Sequence, residues 1–90
     1  MEGRVTLTEG DPLILNCTYQ TIYPGPVLFW YVQYVDRGPR LLLKSATENQ
    51  RAENQGFEAT LVKSPSSFHL QKPSLQLADS ALYYCALGTQ

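Results

Sequence analysis

Few residues of this chain could do chemistry: Cys17 and Cys85, His69, Asp79 with the serines, and the tripeptide Asn16-Cys17-Thr18. Two cysteines are an even count in a 90-residue chain, which suits one disulfide in an oxidising compartment. Two thiols and one histidine do not fill a four-ligand zinc site. Serine, His69 and Asp79 are the letters of a hydrolytic triad, but a triad is a geometry, and any chain of this size contains those letters. A glycine-rich phosphate loop, a nucleophile elbow and metal-ligand spacing are all missing from the sequence. The chain therefore reads as a binding protein without catalysis, metal or cofactor. Asn16-Cys17-Thr18 meets the Asn-x-Thr pattern for glycosylation, and strand parity turns Asn16 outward where Cys17 turns inward. His69 alternates outward between Phe68 and Leu70, as a surface histidine does.

The totals narrow the partners. Seven basic and eight acidic residues give a net charge of −1 with no clustering, so nucleic acid and anionic membrane surfaces are not expected. The longest apolar run, Val27 to Val32, is six residues, far below the roughly 20 of a membrane-spanning helix. No basic-then-apolar signal segment precedes the domain, so any anchor or export signal is expected outside this chain.

The elements that must position these residues are strands. Val5 and Leu7 share one face; Leu13, Leu15 and Cys17 share another, with Ile14, Asn16 and Thr18 opposite. Period-two segments follow at Leu28 to Val35, Arg40 to Ser45, Phe57 to Val62, Ser67 to Gln71 and Ala81 to Leu87. Turn formers separate them: Glu9-Gly10-Asp11-Pro12, Tyr23-Pro24-Gly25-Pro26, Asp36-Arg37-Gly38-Pro39 and Ser64-Pro65-Ser66. Stretches long enough for a stable helix are interrupted by Pro, Gly or β-branched residues. Thr47 to Gln55 is polar throughout and fits a loop, a ragged edge strand or one helical turn. No repeat or linker divides the chain, so residues 1–90 are expected to form a single all-β domain, a sandwich or a barrel.

Cys17, Trp30 and Cys85 decide between those. The tryptophan lies thirteen residues after the first cysteine and the second cysteine 68 after it. In an immunoglobulin-type sandwich this order puts the cysteines on facing strands of two antiparallel sheets, bridged, with the indole packed against the bridge. Closing so long a loop stabilises by about 4 kcal/mol in the chain-entropy account. Tyr83, two residues before the second cysteine, sits where such domains carry a tyrosine whose hydroxyl bonds upstream backbone.

Five segments together resemble a family. Leu28-Phe29-Trp30-Tyr31-Val32-Gln33-Tyr34, Leu41-Leu42-Leu43-Lys44, Gly56-Phe57-Glu58-Ala59-Thr60, Ser67-Phe68-His69-Leu70 and Asp79 through Leu87 are similar to the variable domain of a T-cell receptor α chain, rodent members in particular. Antibody light chains share Trp-Tyr-x-Gln and Tyr-Tyr-Cys, and δ chains can use similar segments; an adhesion or inhibitory-receptor immunoglobulin domain would share the core.

The resemblance implies a V-type Greek-key sandwich on the extracellular side of the plasma membrane, without direct membrane contact. It implies pairing with a β-chain variable domain through Tyr31, Gln33, Pro39, Leu41 and Tyr84, Gln33 meeting an equivalent glutamine across a pseudo-twofold axis. It implies noncovalent contact with peptide-loaded major histocompatibility molecules through three loops. The first runs from Gln20 to Val27, with Thr21, Ile22, Tyr23, Pro24, Gly25 and Pro26 as contacts. The second is Ala46, Thr47, Glu48, Asn49 and Gln50, and the third begins around Leu87 and Gly88. Sixteen residues precede Cys17 and five follow Cys85, fewer than the family carries on either side. The outermost strand is thus expected to be cut away and the final strand missing or incomplete. That leaves the strand around Cys85 as a sheet edge, open to a partner domain or to a second copy in a homodimer.

Overall fold

In the computed structural model the described residues are 2–4, 9–21, 25–63 and 66–89, with side chains in 9–21, 25–63 and 66–88. The expected pair Val5 and Leu7 lies outside them. Among the described residues ten strands form: β1 (Glu2–Arg4), β2 (Leu13–Leu15), β3 (Pro26–Gln33), β4 (Arg40–Ser45), β5 (Arg51–Asn54), β6 (Phe57–Thr60), β7 (Val62–Lys63), β8 (Ser66–Ser67), β9 (Leu70–Lys72) and β10 (Leu82–Thr89). One 3-10 turn, Leu77–Asp79, precedes β10.

The strands make two four-stranded antiparallel sheets, ordered β1-β10-β3-β4 and β2-β9-β6-β5, with β7 and β8 as a small separate ladder. β3 shows why the sequence folds this way. Its residues alternate strictly between buried Pro26, Leu28, Trp30 and Val32 and half-buried Val27, Phe29, Tyr31 and Gln33. β-branched and aromatic side chains at period two fit a pleated surface with one face in a core.

The disulfide Cys17–Cys85 ties the sheets with the α-carbons 6.3 Å apart. Cys85 is the cross-strand partner of Trp30, and both lie in one core with Phe57, Leu61, Phe68, Leu70 and Tyr83. Polar groups within it are paired. The Trp30 indole N–H donates to the Phe68 carbonyl at 2.8 Å, and the Tyr83 hydroxyl donates to the Asp79 carbonyl at 2.5 Å. Burial, and behind it the nearby Asp79 carboxylate, pushes the Tyr83 hydroxyl pKa up.

The strand expected over Ser67 to Gln71 breaks at Phe68 and His69. The Phe68 carbonyl is taken by the indole, while its N–H donates to the Cys17 carbonyl at 2.9 Å. The Cys17 N–H then finds no strand carbonyl and donates instead to His69 Nδ1 at 2.9 Å. His69 is therefore not an ordinary surface histidine. It is half-buried and completes a ladder whose last regular pair is Leu15 with Leu70.

In β4, Leu42 and Leu43 are both buried and Leu41 is 47% exposed, which breaks period two. The register slips there: Trp30 faces Leu43 but Tyr31 faces Leu41, leaving Leu42 as the extra residue of a β-bulge. Of the three readings left open for Thr47 to Gln55, the edge strand is realised over β5. A tight turn returns it to β6, with positive φ at both Gln55 (55°) and Gly56 (85°), as two-residue hairpins require. β5 thus joins the second sheet and not β4, although the Asn54 amide still donates to the Leu42 carbonyl at 3.0 Å.

One expectation about the ends is corrected. Residues 2–4 form a strand ahead of β2 and pair antiparallel with Leu82, Tyr83 and Tyr84, so β10 is not a bare edge. The edge at β10 is consequently covered over Leu82 to Tyr84, and from Cys85 to Thr89 β3 is its sole strand neighbour among the described residues.

Candidate functional site

The outward faces of β3 and β10 form one surface because the register aligns them: Gln33 with Leu82, Tyr31 with Tyr84, Phe29 with Ala86 and Val27 with Gly88. Side chains at directly opposite positions stand within reach of each other. At the surface's centre the Tyr84 hydroxyl donates to Gln33 Oε1 at 3.0 Å, and Gln33 Nε2 donates to the Arg37 carbonyl at 3.0 Å. That carbonyl is presented by the turn after β3, where Asp36 has φ 60° and the Arg37 N–H donates to the Tyr34 carbonyl at 3.1 Å. Tyr31, Gln33, Pro39 and Tyr84 line one shallow, largely apolar depression. Leu41, turned outward by the bulge, borders it opposite Tyr31. All five residues expected to meet a partner domain thus fall on one face.

Phe29 extends that face and was missed, though counting back two residues from Tyr31 would have found it. Its ring stacks on Tyr31 with centroids 6.0 Å apart and planes 28° apart. Gly88 permits the arrangement, because a β-carbon there would stand 2.8 Å from Phe29 Cε2. Beyond Phe29 a groove lined by Val27, Lys44, Ala46, Thr47, Gln50 and Ala52 runs toward the turn after β4.

The expected loops converge on one end of the sandwich. Leu28 faces both Ser45 and Leu87 across its two neighbouring strands, so the chain before β3, the turn after β4 and the last residues of β10 lie together. Ala46 through Gln50 are all exposed. Their turn is held by Ser45 Oγ, which accepts the Thr47 N–H at 3.4 Å, and by the Asn49 N–H donating to the Leu61 carbonyl at 2.8 Å. Thr21 is half-buried and Gly25 exposed, whereas Ile22, Tyr23 and Pro24 lie outside the described residues. Pro26 departs from the loop assignment: it is buried as the first residue of β3, a position where its missing N–H is tolerated. Leu87, 42% exposed, and Gly88 likewise belong to β10, not to a loop.

The immunoglobulin V-set domain family matches residues 1–90. This chain belongs to it. The V-set domain is similar to a mouse T-cell receptor alpha chain V region, CTL-F3, at 69% identity over 97% of this chain and 65% of that protein. It is 69% identical to the rabbit V region RL-5 over 96% of this chain and 63% of that protein. Human T cell receptor alpha variable 18 is 62% identical over 96% of this chain and 76% of that protein. The chain therefore spans a little under two thirds of the length of the first two. The resemblance drawn from the five segments is borne out, and the V-set domain falls among α-chain variable regions, which are receptor domains and not enzymes.

Proposed function

We propose that this V-set domain is the antigen-recognition variable domain of a T-cell receptor α chain, displayed on the outside of the cell. It pairs with a β-chain variable domain and offers its loop end to peptide held by a major histocompatibility molecule. The observation that carries the pairing is the state of the Gln33 amide. A primary amide has two N–H donors and two acceptor lone pairs. Tyr84 and the Arg37 carbonyl each use one, leaving one donor and one acceptor. A second glutamine across a twofold axis needs that remaining pair, and the rings of Tyr31 and Tyr84 with Pro39 and Leu41 supply the apolar surround of a specific interface.

The loop assignment is supported by the convergence of Gly25, Ala46 to Gln50 and the end of β10 on one end of the sheet. Contact there is noncovalent, and ordering of the loops keeps it weak. Extracellular display is supported by the relatives and the disulfide; among the described residues no helix is long and apolar enough to cross a membrane. Without a β chain, two copies would meet along Ala86 to Thr89, and a monomer at every concentration in sedimentation equilibrium counts against that contact.

The test is a titration with a β-chain variable domain and, separately, with an antibody heavy-chain variable domain. Binding to the first alone is expected, lost in a Gln33→Arg, Tyr84→Asp double variant. Undiminished pairing of that variant refutes the assigned face.

A further inference from the structure

The Asn-x-Thr tripeptide is placed where a strand and a disulfide share it, which bears on when it can react. Asn16 and Thr18 are exposed on the same side, while Cys17 between them is 2% exposed and bonded to Cys85. The backbone of the middle residue is engaged on both sides. The Cys17 N–H donates to His69 Nδ1 and its carbonyl accepts the Phe68 N–H, both at 2.9 Å. Thr18 bridges to Ser67, and the Tyr19 N–H donates to the Ser66 carbonyl at 3.3 Å. An enzyme that grips a three-residue acceptor must draw the main chain of the middle residue into its own site. In the folded domain that main chain is committed on both sides and covalently tied to the opposite sheet.

We infer that Asn16 is an N-glycosylation site that is modified only before the Cys17–Cys85 bond closes, so that glycan transfer and disulfide formation compete for one nascent segment. This rests on the extracellular reading, since both reactions belong to the secretory lumen. In the transfer, Asn16 Nδ2 forms a bond to C1 of a lipid-pyrophosphate-linked oligosaccharide; the C1–oxygen bond breaks, the lipid pyrophosphate leaves and one amide proton goes to the transferase's base. In the competing step both thiols lose their protons and two electrons pass to the disulfide of a lumenal oxidoreductase. Synthesis gives the transfer a head start. Cys85 lies 68 residues after Cys17, so at about 5–20 residues per second Cys17 waits about 3–14 s for its partner to be made. Disulfide formation itself takes seconds or longer.

The position also leaves the receptor face clear. Asn16 continues the outward side of β2, next to His69 and Gln71 of the second sheet, whereas Gln33, Tyr31 and Tyr84 lie on the outside of the first. A glycan on Asn16 is therefore compatible with β-chain pairing.

The chain is translated behind a cleavable signal segment into microsomes, which delivers it to the lumen whether or not the extracellular reading holds. Occupancy is read as the mass shift removed by a peptide N-glycosidase. Asn16→Gln and Thr18→Ala are expected to abolish the shift. Cys85→Ala, which frees Cys17 without altering the tripeptide, and translation under dithiothreitol are both expected to raise the occupied fraction. Purified disulfide-closed protein offered to the same transferase is expected to stay unmodified while its reduced, unfolded form is modified. An absent shift in Cys85→Ala would remove the site, and equal modification of the closed and reduced proteins would overturn the ordering.

Discussion

Lys72→Met is expected to cost this domain about 3–5 kcal/mol, the range for breaking a buried ion pair by removing one partner. Lys72 Nζ lies 2.8 Å from Asp79 Oδ2, with the two side chains only 10% and 9% exposed. The same Oδ2 accepts the Gln76 N–H at 2.8 Å, so the carboxylate also caps the 3-10 turn before β10. The ammonium further sits 4.7 Å from the centroid of the Phe57 ring, and its stem packs on Gly56, where a β-carbon would lie 3.2 Å from Lys72 Cε. Methionine keeps most of the stem's volume, so the loss isolates the charge. Asp79 is then left as a buried anion with one backbone donor, which is what makes single removal expensive. A domain of this size has roughly 5–15 kcal/mol in all. At about 4–8 °C per kcal/mol, the variant should melt at least about 12 °C lower. Asp79→Asn alone should cost less, because an amide oxygen still accepts from Gln76. The double variant should be much less destabilised than the sum of the singles, since neither charge is stranded. Guanidinium denaturation of disulfide-intact protein, with the midpoint moving at constant m, reads all three. A Lys72→Met loss below about 1 kcal/mol, or simple additivity of the singles, refutes the reasoning.

Three further outcomes are expected. Because burial raises the Tyr83 hydroxyl pKa above the ordinary tyrosine value of about 10, its contribution to stability is complete below that pH and lost as pH climbs through the folded value; denaturation midpoints should fall above about pH 10, and Tyr83→Phe should remove that part of the fall. His69→Ala leaves the Cys17 N–H without an acceptor and should lower stability by about 1–3 kcal/mol, with amide exchange at Cys17 accelerating most. Gly88→Ala should cost at the low end of about 1–3 kcal/mol, because the Phe29 ring can swing outward, yet should weaken β-chain binding by unstacking Phe29 from Tyr31.

How much of this was legible in the sequence depends on how far each feature follows from parity alone. Trp30 and Cys85 turn inward, so Tyr31, Gln33 and Tyr84 had to turn outward, and that part of the face follows without coordinates, whereas Pro39 and Leu41 came from the family resemblance. The bulge at Leu42 does not, because three consecutive leucines carry no mark of which one is extra. His69 was misjudged for a related reason. Its outward parity is correct, but its bond to the Cys17 N–H exists only because the Phe68 carbonyl is diverted to an indole 38 residues away, and such long-range substitution leaves no local trace. The choice of sheet by β5 is likewise made by Gln55 and Gly56, whose left-handed backbone closes a hairpin onto β6.

Pairing and stability are written on alternate residues of the same two strands, and this separates their mutational signatures. In β3 and β10 the inward set, Leu28, Trp30, Val32, Tyr83 and Cys85, is at most 8% exposed, so truncating any of them opens a cavity or breaks the bridge and lowers stability whatever the partner. The outward set, Phe29, Tyr31, Gln33 and Tyr84, is half-buried in the isolated chain, and its remaining surface is lost to water only if another domain covers it. Polar substitution there should leave the denaturation midpoint nearly unchanged while abolishing association. A strand whose alternate positions fail in these two different assays is acting as a wall between a core and an interface. If the outward variants unfolded the isolated domain instead, the face would be part of its own fold and the case for a partner would lose its footing.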